Sequence, residues 1–417
     1  MLVFLRDNAR WIVGGFLLFL FSSFGQTFFI SLSAGDIRRE YGLSHGSFGS
    51  LYMAATLLSA FTLPRIGSAV DRYGSKRVVL FVVPMLALAA SLMAGSRHLV
   101  LLFVALYLLR LFGQGMMSHI AFTAMGRWFS AQRGKALSLA TLGMNAGEAS
   151  FPVLFVAASS ALGWRVAWWV GAAVLLVVAL PVVAGLTAKD RDVHASEAAS
   201  RARIVRDWTR GEVLRDPLFY LVMLAMIPPA LIGNTVFFHQ VYLVELRGWS
   251  LEVFASSFTV MAGMTVVFSL VAGQLVDRLS AIALLPFYLL PMGLGCVVLG
   301  SVQASWGAFA FMALFGLSNG FSLSLFGALW PEIYGLAHLG SIRSVIVATL
   351  VFVSAVGPGL SGLLIDRGVS YPALLVGLGS YCIAVSVLML SVSRRVQARA
   401  EHVPAQATLQ RPPIQVR

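Results

Sequence analysis

Charged residues are scarce in this sequence of 417 residues. They make up 11% of the chain, whereas hydrophobic types make up 59%. Soluble domains have roughly a quarter charged residues, so this composition excludes an ordinary soluble protein. It predicts an all-α membrane protein with many helices embedded in the lipid bilayer.

The chain also lacks the residues of several kinds of functional site. Its two cysteines, Cys296 and Cys382, both fall within apolar runs, so neither a disulfide framework nor a metal site is expected. No G-x-x-x-x-G-K-[ST] loop for ATP phosphates and no H-E-x-x-H metalloprotease motif is present. We therefore expect no cofactor, no ATP-driven pump and no enzyme.

Acidic residues are few, 17 against 30 basic ones, and the net charge is +13. In a membrane protein this positive charge has to be counted for each loop separately, and it does not indicate binding of nucleic acid. With the N-terminus inside, the cytoplasmic segments hold 23 of the 30 Lys and Arg residues, the opposite loops hold 6, and Arg110 lies within a span. The positive-inside rule then places both termini in the cytoplasm. We expect a monomeric, multi-pass protein of the plasma membrane, the inner membrane in a bacterium.

Twelve apolar runs are long enough to cross the bilayer, which takes roughly 20 residues each. They lie near 11–34, 47–67, 78–95, 99–124, 137–160, 165–187, 217–244, 252–273, 282–301, 306–329, 342–365 and 371–392. The first run is too long for the hydrophobic region of a signal peptide and is read as a retained span. The polar insertion 188–216 separates six runs from six. We expect bundles at 1–187 and 217–392, a linker at 188–216 and a disordered cytoplasmic tail at 393–417.

The two sets of six runs are related by an offset of 206 residues. The matching pairs are Gly67 and Gly273, Asp71 and Asp277, Arg72 and Arg278, Gly134 and Gly340, and Pro152 and Pro358. Six spans per copy give both copies the same orientation. The pattern therefore predicts two pseudo-symmetric six-helix bundles about an axis along the membrane normal, with the substrate path between them.

The segment from Gly67 to Arg77 reads G-S-A-V-D-R-Y-G-S-K-R and joins the second and third runs. It resembles the cytoplasmic loop signature of the major facilitator superfamily of transporters. That resemblance implies a gating role in which the Asp71 carboxylate pairs with the other half and holds the outward-facing state. The alternative is that Lys76 and Arg77 only keep the loop inside. The candidate gating residues are Gly67, Asp71, Arg72, Gly74, Lys76, Arg77, Gly273, Asp277 and Arg278.

Two ionisable residues lie in the middle of apolar runs, Arg110 in the fourth and Glu148 in the fifth. A charge at the bilayer centre costs about 2.5 to 3.5 kcal/mol on insertion scales, so such residues indicate function. Helical rise places both near mid-depth. We expect Arg110 to attract an anionic substrate and Glu148 to bind or gate a proton. The alternative is a structural ion pair that joins the two helices.

Weaker polar stripes accompany these two residues at helical spacing. Gln114 shares a face with Arg110, and Asn145 shares one with Glu148. Further candidates for the substrate and proton path are Gln26 in the first span, His239 in the seventh and Asn319 in the tenth. Each of these is equally consistent with a hydrogen bond between helices. His119 lies on the other side of the fourth span from Arg110 and should face elsewhere.

Two cytoplasmic loops resemble those of one particular branch of this superfamily. The segment 127–136, R-W-F-S-A-Q-R-G-K-A, resembles the W-F-x-x-R-R-G-x-A loop of monocarboxylate porters and oxalate/formate exchangers, and 331–343 resembles its counterpart. Animal monocarboxylate porters have an aspartate and an arginine in the eighth span. Here the run 252–273 contains no acidic or basic residue after Glu252 at its start. The fifth span also lacks the glycine-proline pair of drug-proton antiporters.

These observations predict a secondary transporter that works by alternating access. Its expected activity is proton-coupled uptake (symport) of a small organic anion such as a monocarboxylate. The alternatives that stay open are an exporter or exchanger of the same fold and, less favoured, a receptor or membrane enzyme.

Overall fold

The computed structural model describes residues 2–129, 132–188, 207–335 and 338–401. All regular secondary structure within these ranges is helical, as the composition predicted. Ten helices are long and apolar enough to cross a membrane, and a bent pair at the start of the chain makes an eleventh. A shorter apolar helix, Leu290–Ser301, lies where the ninth span was expected.

We number the helices α1 to α12 after the twelve predicted spans. Their bounds are Leu2–Ser22 with Thr27–Ile30 and Ala34–Tyr41 (α1), His45–Gly67 (α2), Ala69–Gly95 (α3), Leu99–Trp128 (α4), Arg133–Leu162 (α5), Trp164–Leu186 (α6), Pro217–Phe238 with Gln240–Arg247 (α7), Leu251–Leu279 (α8), Ala281–Leu284 with Leu290–Ser301 (α9), Trp306–Tyr334 (α10), Leu339–Asp366 (α11) and Tyr371–Glu401 (α12).

The ninth span is not one continuous helix, contrary to the prediction of a span over 282–301. A helical turn at Ala281–Leu284 is followed by non-helical turns, and the helix restarts at Leu290 with Pro291 in its first turn. Pro286 lies within the interruption. Proline has no N–H to donate and clashes with the preceding turn, which accounts for the break.

The last helix continues past the predicted boundary at 392. Residues 393–401, expected to begin a disordered tail, form the end of α12, while 402–417 lie outside the described ranges. This stretch is free of glycine and proline and rich in Ala, Arg and Gln, which favour helix. Ser393 also donates a hydrogen bond of 2.7 Å to the carbonyl of Ile282 and so fixes the end of α12 on α9.

The internal repeat is visible in the backbone. Gly42 and Gly248, 206 residues apart, both end a helix in the left-handed conformation. Gly74 and Ser280 have the same offset and nearly the same dihedral angles, φ 75° and ψ 161° against φ 80° and ψ 155°. Ser280 is the one non-glycine residue with positive φ among the described residues. The second copy therefore keeps a backbone turn without the glycine that suits it.

The two described chain ends lie at the same side of the bundle, which we call the termini face. Phe4 contacts Phe129 there, and the α2–α3, α4–α5 and α8–α9 connections reach the same side. We call the other side the opposite face. The predicted linker is described at Ala188 and again from Asp207. Trp208 donates a backbone hydrogen bond to Tyr334 before the short helix Arg210–Val213.

Candidate substrate site

A break in α1 positions the site. After Ser22 the chain makes one 3-10 turn, Ser23–Gly25, and Gln26 is extended with φ −81° and ψ 150°. The helix restarts at Thr27, and its two parts are bent by 46°. Since helix ends leave backbone groups without intrahelical partners, the break makes the Gly25 carbonyl available to a side chain.

Helix α4 approaches this break unusually closely. Its segment Leu109–Met117 is wound as a π-helix, a form that is frequent at functional sites. A Cβ atom added to Gly25 would lie 2.7 Å from the Cα of Gly113, and one added to Gly113 would lie 2.6 Å from the Cα of Gly25. Only glycine fits at both positions. Their contact brings Arg110 onto the break.

Arg110 is 3% exposed and points towards α1 and α2. Its Nη1 donates to the Gly25 carbonyl at 2.9 Å and lies 3.5 Å from the Oγ1 of Thr27. Its guanidinium carbon lies 5.5 Å from the centre of the Tyr52 ring, within cation–π range. Its Nε has no hydrogen-bond partner among the residues that the structure describes. Neutral groups therefore hold a buried positive charge that has no carboxylate beside it.

The structural pair between Arg110 and Glu148 is not formed. Among the described residues, no ion pair within 4.0 Å includes either side chain. The pair does not form because the Arg110 side chain is directed from α4 towards α1 and α2, whereas Glu148 lies on α5. The interpretation of these two residues as partners that neutralise each other was therefore wrong for this conformation.

Glu148 faces the interior of the protein. Val153 and Leu154 are exposed by 40% and 62% and mark the lipid side of α5. At 100° per residue Glu148 points about 140° and 120° away from these two side chains. Its Oε2 is buried and has no hydrogen-bond partner. A carboxylate in this position is costly to ionise without a partner, which suits a group that binds and releases a proton.

The neighbours of Glu148 on α5 place it at the interface of the two halves. Before it, Gly147 packs against Ser23 of α1. After it, the Ala149 carbonyl accepts a 3.0 Å hydrogen bond from Thr259 of α8. The carboxylate thus lies between a helix of the first half and a helix of the second.

Three residues of the site were not among the sequence candidates: Thr27, Tyr52 and Asn234. Tyr52 donates a 2.9 Å hydrogen bond to Thr27, and Thr27 hydrogen-bonds to Asn234 of α7. Thr27 thereby connects Arg110 to the second half of the protein. Asn234 lies in the same span as the candidate His239, but nothing in the sequence distinguished it from its neighbours.

The four predicted amides occupy half-buried positions. They are Gln26, Gln114, Asn145 and Asn319. The side chains of all four make no hydrogen bond to another described residue, and their polar atoms are not enclosed. Amides that are neither enclosed nor paired are available to water or to a polar ligand. Their role in substrate binding stays a prediction.

His239 lies in a different environment from the other candidates. It occupies the break between the two parts of α7, is buried, and its Nε2 lies 2.8 Å from the Oγ of Ser361 in α11. Its ring centre is 6.0 Å from that of His45 at the start of α2. The rings of Tyr52 and Phe238 lie between it and Arg110, in tilted and edge-on contacts. His239 is thus part of the contact between the halves near the opposite face.

That contact closes the opposite face. Ser44 and the Gly46 N–H, at the start of α2, both donate to Asp366 at the end of α11, at 2.6 and 2.8 Å. Gln240 of α7 donates to Ser31 and to the Phe28 carbonyl of α1, at 2.8 and 2.7 Å. Between described residues, every hydrogen bond and ring contact that joins the halves lies from mid-depth to this face.

The halves are separated towards the termini face. On α2, Met53 contacts Gly359 of α11, whereas Pro64, three turns further on along the same face of the helix, is exposed. On α11, Pro358 and Gly359 are buried, but Val347, nearer the termini face, is 57% exposed. The gap between the halves therefore opens to the side on which both chain ends lie.

The candidate gating residues lie at this open side. Gly67 is buried, and its carbonyl lies 3.2 Å from the Nε2 of His119. His119 therefore contacts α2, the helix that Arg110 also faces through Tyr52. The Asp71 side chain lies outside the described part of the structure. The charged residues whose side chains are described, Arg72, Lys76, Arg77, Asp277 and Arg278, are exposed. The structure leaves their gating role a prediction.

The described residues support neither a hydrolase active site nor a metal site. Gly316–Gly320 reads G-L-S-N-G, the letters of a hydrolase nucleophile motif, but it lies in the middle of α10 and not at a strand-to-helix turn. Its Ser318 is buried and accepts a hydrogen bond from the Met292 N–H. Among the described residues, no group of three or more His, Cys, Asp and Glu side chains is arranged to hold a metal ion.

Two helical halves that enclose polar groups at mid-depth, closed on one face and open on the other, define a membrane transporter. The family model of the Major Facilitator Superfamily matches residues 15–358. The chain therefore belongs to the Major Facilitator Superfamily.

Similar proteins agree with this assignment. An "MFS-type transporter" of Gibberella moniliformis is 24% identical over 74% of this chain and 73% of that protein. An "Oxalate:formate antiporter" of Oxalobacter formigenes is 26% identical over 47% of this chain, and the match spans about half, 46%, of that relative's length. The first agrees with the superfamily, and the second supports the resemblance to the oxalate/formate branch.

A solved structure shares the fold. The crystal structure of a bacterial homolog of the human lysosomal transporter Spinster, in an inward-facing and unoccupied conformation, has a TM-score of 0.67 and 15% identity, covering 94% of this chain and 95% of that one. The occupied form of the same homolog gives a TM-score of 0.66.

Proposed function

We propose that this chain is a secondary active transporter of a small organic anion that binds at Arg110. The observation that supports this most directly is a buried guanidinium without a carboxylate partner. Such a charge is costly at mid-depth in a bilayer, and an anion that pairs with it recovers part of that cost. A carboxylate suits the site because it can accept two parallel hydrogen bonds from the guanidinium.

Proton coupling is assigned to Glu148. The carboxylate faces the interface of the halves, and one oxygen lacks a hydrogen-bond partner. Protonation removes the unfavourable buried charge, so the proton and the conformational change of the halves are energetically linked. Since Arg110 is not neutralised by Glu148, anion and proton can bind to separate groups, as symport requires.

The site is connected to the closed face through Thr27. Arg110 contacts the same side chain that hydrogen-bonds to Asn234 across the halves. An anion that draws the guanidinium towards itself changes the bonds that hold the break in α1. We propose this as the link between binding and alternating access, with the termini face cytoplasmic and the protein a monomer in the plasma membrane. The 67–77 and 273–278 segments then act as latches when that face closes.

Anion exchange is the second candidate, and the similarity to an oxalate:formate antiporter is what favours it. In an exchanger the same Arg110 site alternates between two anions, and no proton has to move. Glu148 is then not needed for the cycle. Uptake by symport remains our first proposal because one oxygen of this half-buried carboxylate is enclosed at the interface and has no hydrogen-bond partner among the described residues.

Proteoliposomes with an internal pH indicator and labelled anions distinguish the two. Formate, oxalate and lactate are added to the wild type, Arg110→Gln, Glu148→Gln and the control Arg343→Gln, whose side chain is exposed on α11. We expect Arg110→Gln to reduce anion movement at least 100-fold, because it removes the positive charge that pairs with the anion. Unchanged transport in Arg110→Gln contradicts the anion proposal.

The readout for Glu148→Gln separates symport from exchange. For symport we expect anion-evoked proton entry that disappears in this variant, while exchange of labelled anion across the membrane persists. Anion exchange without any proton entry, unaffected by the variant, instead assigns the exchanger mechanism.

A further inference from the structure

A crevice on the flank of the first half lies outside the substrate site. Helices α2 and α3 diverge from their short connection, and α4 packs beneath both. The crevice has a volume of about 640 Å³, within the ~300–1,000 Å³ range of small-ligand pockets. Every residue that lines it belongs to α2, α3, α4 or the α2–α3 connection. No residue of the second half contributes, so the crevice faces the membrane beside the first half.

The long wall of the crevice is apolar. Val78, Phe81, Val82 and Met85 follow one another at the spacing of a single helix face and extend about 10 Å along α3. Phe81 is 59% exposed although it lies within the span. An exposed aromatic beside a deep apolar cleft is suited to contact with a hydrocarbon chain.

The end of the crevice at the termini face is basic. Arg65, Arg72 and Arg77 all line it, and all three side chains are exposed. The aromatic ring of Tyr73, 57% exposed, lies among them at the level expected for an interfacial anchor. The cleft thus combines an apolar wall in the bilayer with a cationic end at its surface.

The second half does not repeat this charge. At the offset of 206 residues, the positions of Arg65, Arg72 and Arg77 are taken by Val271, Arg278 and Ala283. The positive-inside rule alone would not place three arginines at the mouth of one cleft and one at its counterpart. The cluster of three arginines is therefore found in the first copy and not in the second.

We propose that this crevice binds an anionic phospholipid of the leaflet at the termini face. Its acyl chain lies along the α3 wall, and its phosphate contacts the three arginines. A soluble phosphate compound would use the basic end but leave the apolar wall empty. Charge complementarity excludes a zwitterionic lipid as the preferred occupant, because each arginine near the surface favours an anionic headgroup.

Native mass spectrometry of the full-length protein in detergent tests this. Phosphatidylglycerol and phosphatidylcholine with identical acyl chains are titrated against the wild type and against Arg72→Gln/Arg77→Gln. We expect phosphatidylglycerol to bind more tightly, and its affinity to fall about fivefold for each arginine removed. The matched control is Arg278→Gln/Arg343→Gln, which removes two exposed arginines from the same face of the second half. It should bind as the wild type does.

Two further arms make the result specific. Soluble glycerol phosphate in excess should not displace the lipid; displacement would assign a site for a free phosphate compound instead. Ile66→Trp fills the cleft without changing charge and should weaken both lipids. Equal affinity for the two lipids in the wild type, or an equal loss in the control variant, overturns the proposal. These readouts are independent of transport.

Discussion

The α2–α4 contact of the first half and the α8–α10 contact of the second half are equivalent in the repeat but are packed differently. In the second half, a Cβ added to Gly316 or Gly320 would lie within 2.6 Å of a backbone oxygen of α8, so these two helices are in backbone contact. The equivalent residues of α4 are Arg110 and Gln114. In the first half, the side chains of Arg110 and Gln114 therefore occupy space that direct helix contact eliminates in the second half.

This difference shows how one duplicated scaffold acquired a site on one side. Glycines make α8 and α10 a tightly packed pair, which suits a half that moves as one body. Replacing them with Arg110 and Gln114 opens the first half at mid-depth and places a charge there. The lipid-facing crevice between α2 and α3 belongs to the same looser region. The proposed site therefore lies where the repeat departs from its own packing.

The largest effect on folding is expected at Gly316. Gly316→Ala places a Cβ 2.4 Å from the carbonyl oxygen of Met261 and forces α8 and α10 apart. Overpacking of this kind typically costs about 1 to 3 kcal/mol. We expect a clear fall in the thermal unfolding midpoint in detergent. Gln114→Ala, at the equivalent position, should leave the midpoint unchanged and affect transport alone; equal destabilisation would show that the two contacts are packed alike.

A smaller effect, on the balance between conformations, is expected at the closed face. Asp366→Asn keeps the shape of the side chain but removes the charge that accepts hydrogen bonds from Ser44 and Gly46. Hydrogen bonds to a charged group contribute about 1.5 to 3 kcal/mol each, and the amide retains part of this. We expect the population to shift towards a conformation that is open at the opposite face. Labelling of a cysteine at Ser47 should become faster, and an unchanged rate would contradict this role of Asp366.

The smallest effect is expected at Ser280. Its dihedral angles lie in a region that essentially only glycine adopts, and strain of this kind costs about 1 to 3 kcal/mol. Ser280→Gly loses a long hydrogen bond to the Ala283 N–H but relieves the strain. We expect a small rise in the unfolding midpoint, and a fall for Gly74→Ser in the first half. A fall in both variants would rule out strain at Ser280.

Much of the fold followed from the sequence because it depends on periodic signals. Apolar runs of bilayer length located the helices, and the offset of 206 residues recurs in the backbone at Gly74 and Ser280. The interruptions were harder to predict. The breaks in α1 and α7 occur at Gln26 and His239, and neither proline nor a run of glycines marks them.

The site was predicted only where a single residue was conspicuous. Arg110 and Glu148 stood out as charges in apolar runs, but their directions depend on the π-helix in α4 and on how α5 is rotated. Thr27 and Asn234 are ordinary polar residues in sequence, and they matter because two broken helices from different halves meet there. Contacts of this kind exist only in three dimensions.

Movement of the two halves about the site is the central step of the proposed transport cycle, and one distance measurement tests it directly. Spin labels at Ser68→Cys and Ser341→Cys report the termini face, and a second pair at Ser47→Cys and Arg367→Cys reports the opposite face. Native Cys296 and Cys382 are fully buried and will not interfere. We predict that an anion that is transported shortens the first distance and lengthens the second in one population. Two distances that stay fixed with saturating anion would contradict alternating access in this protein.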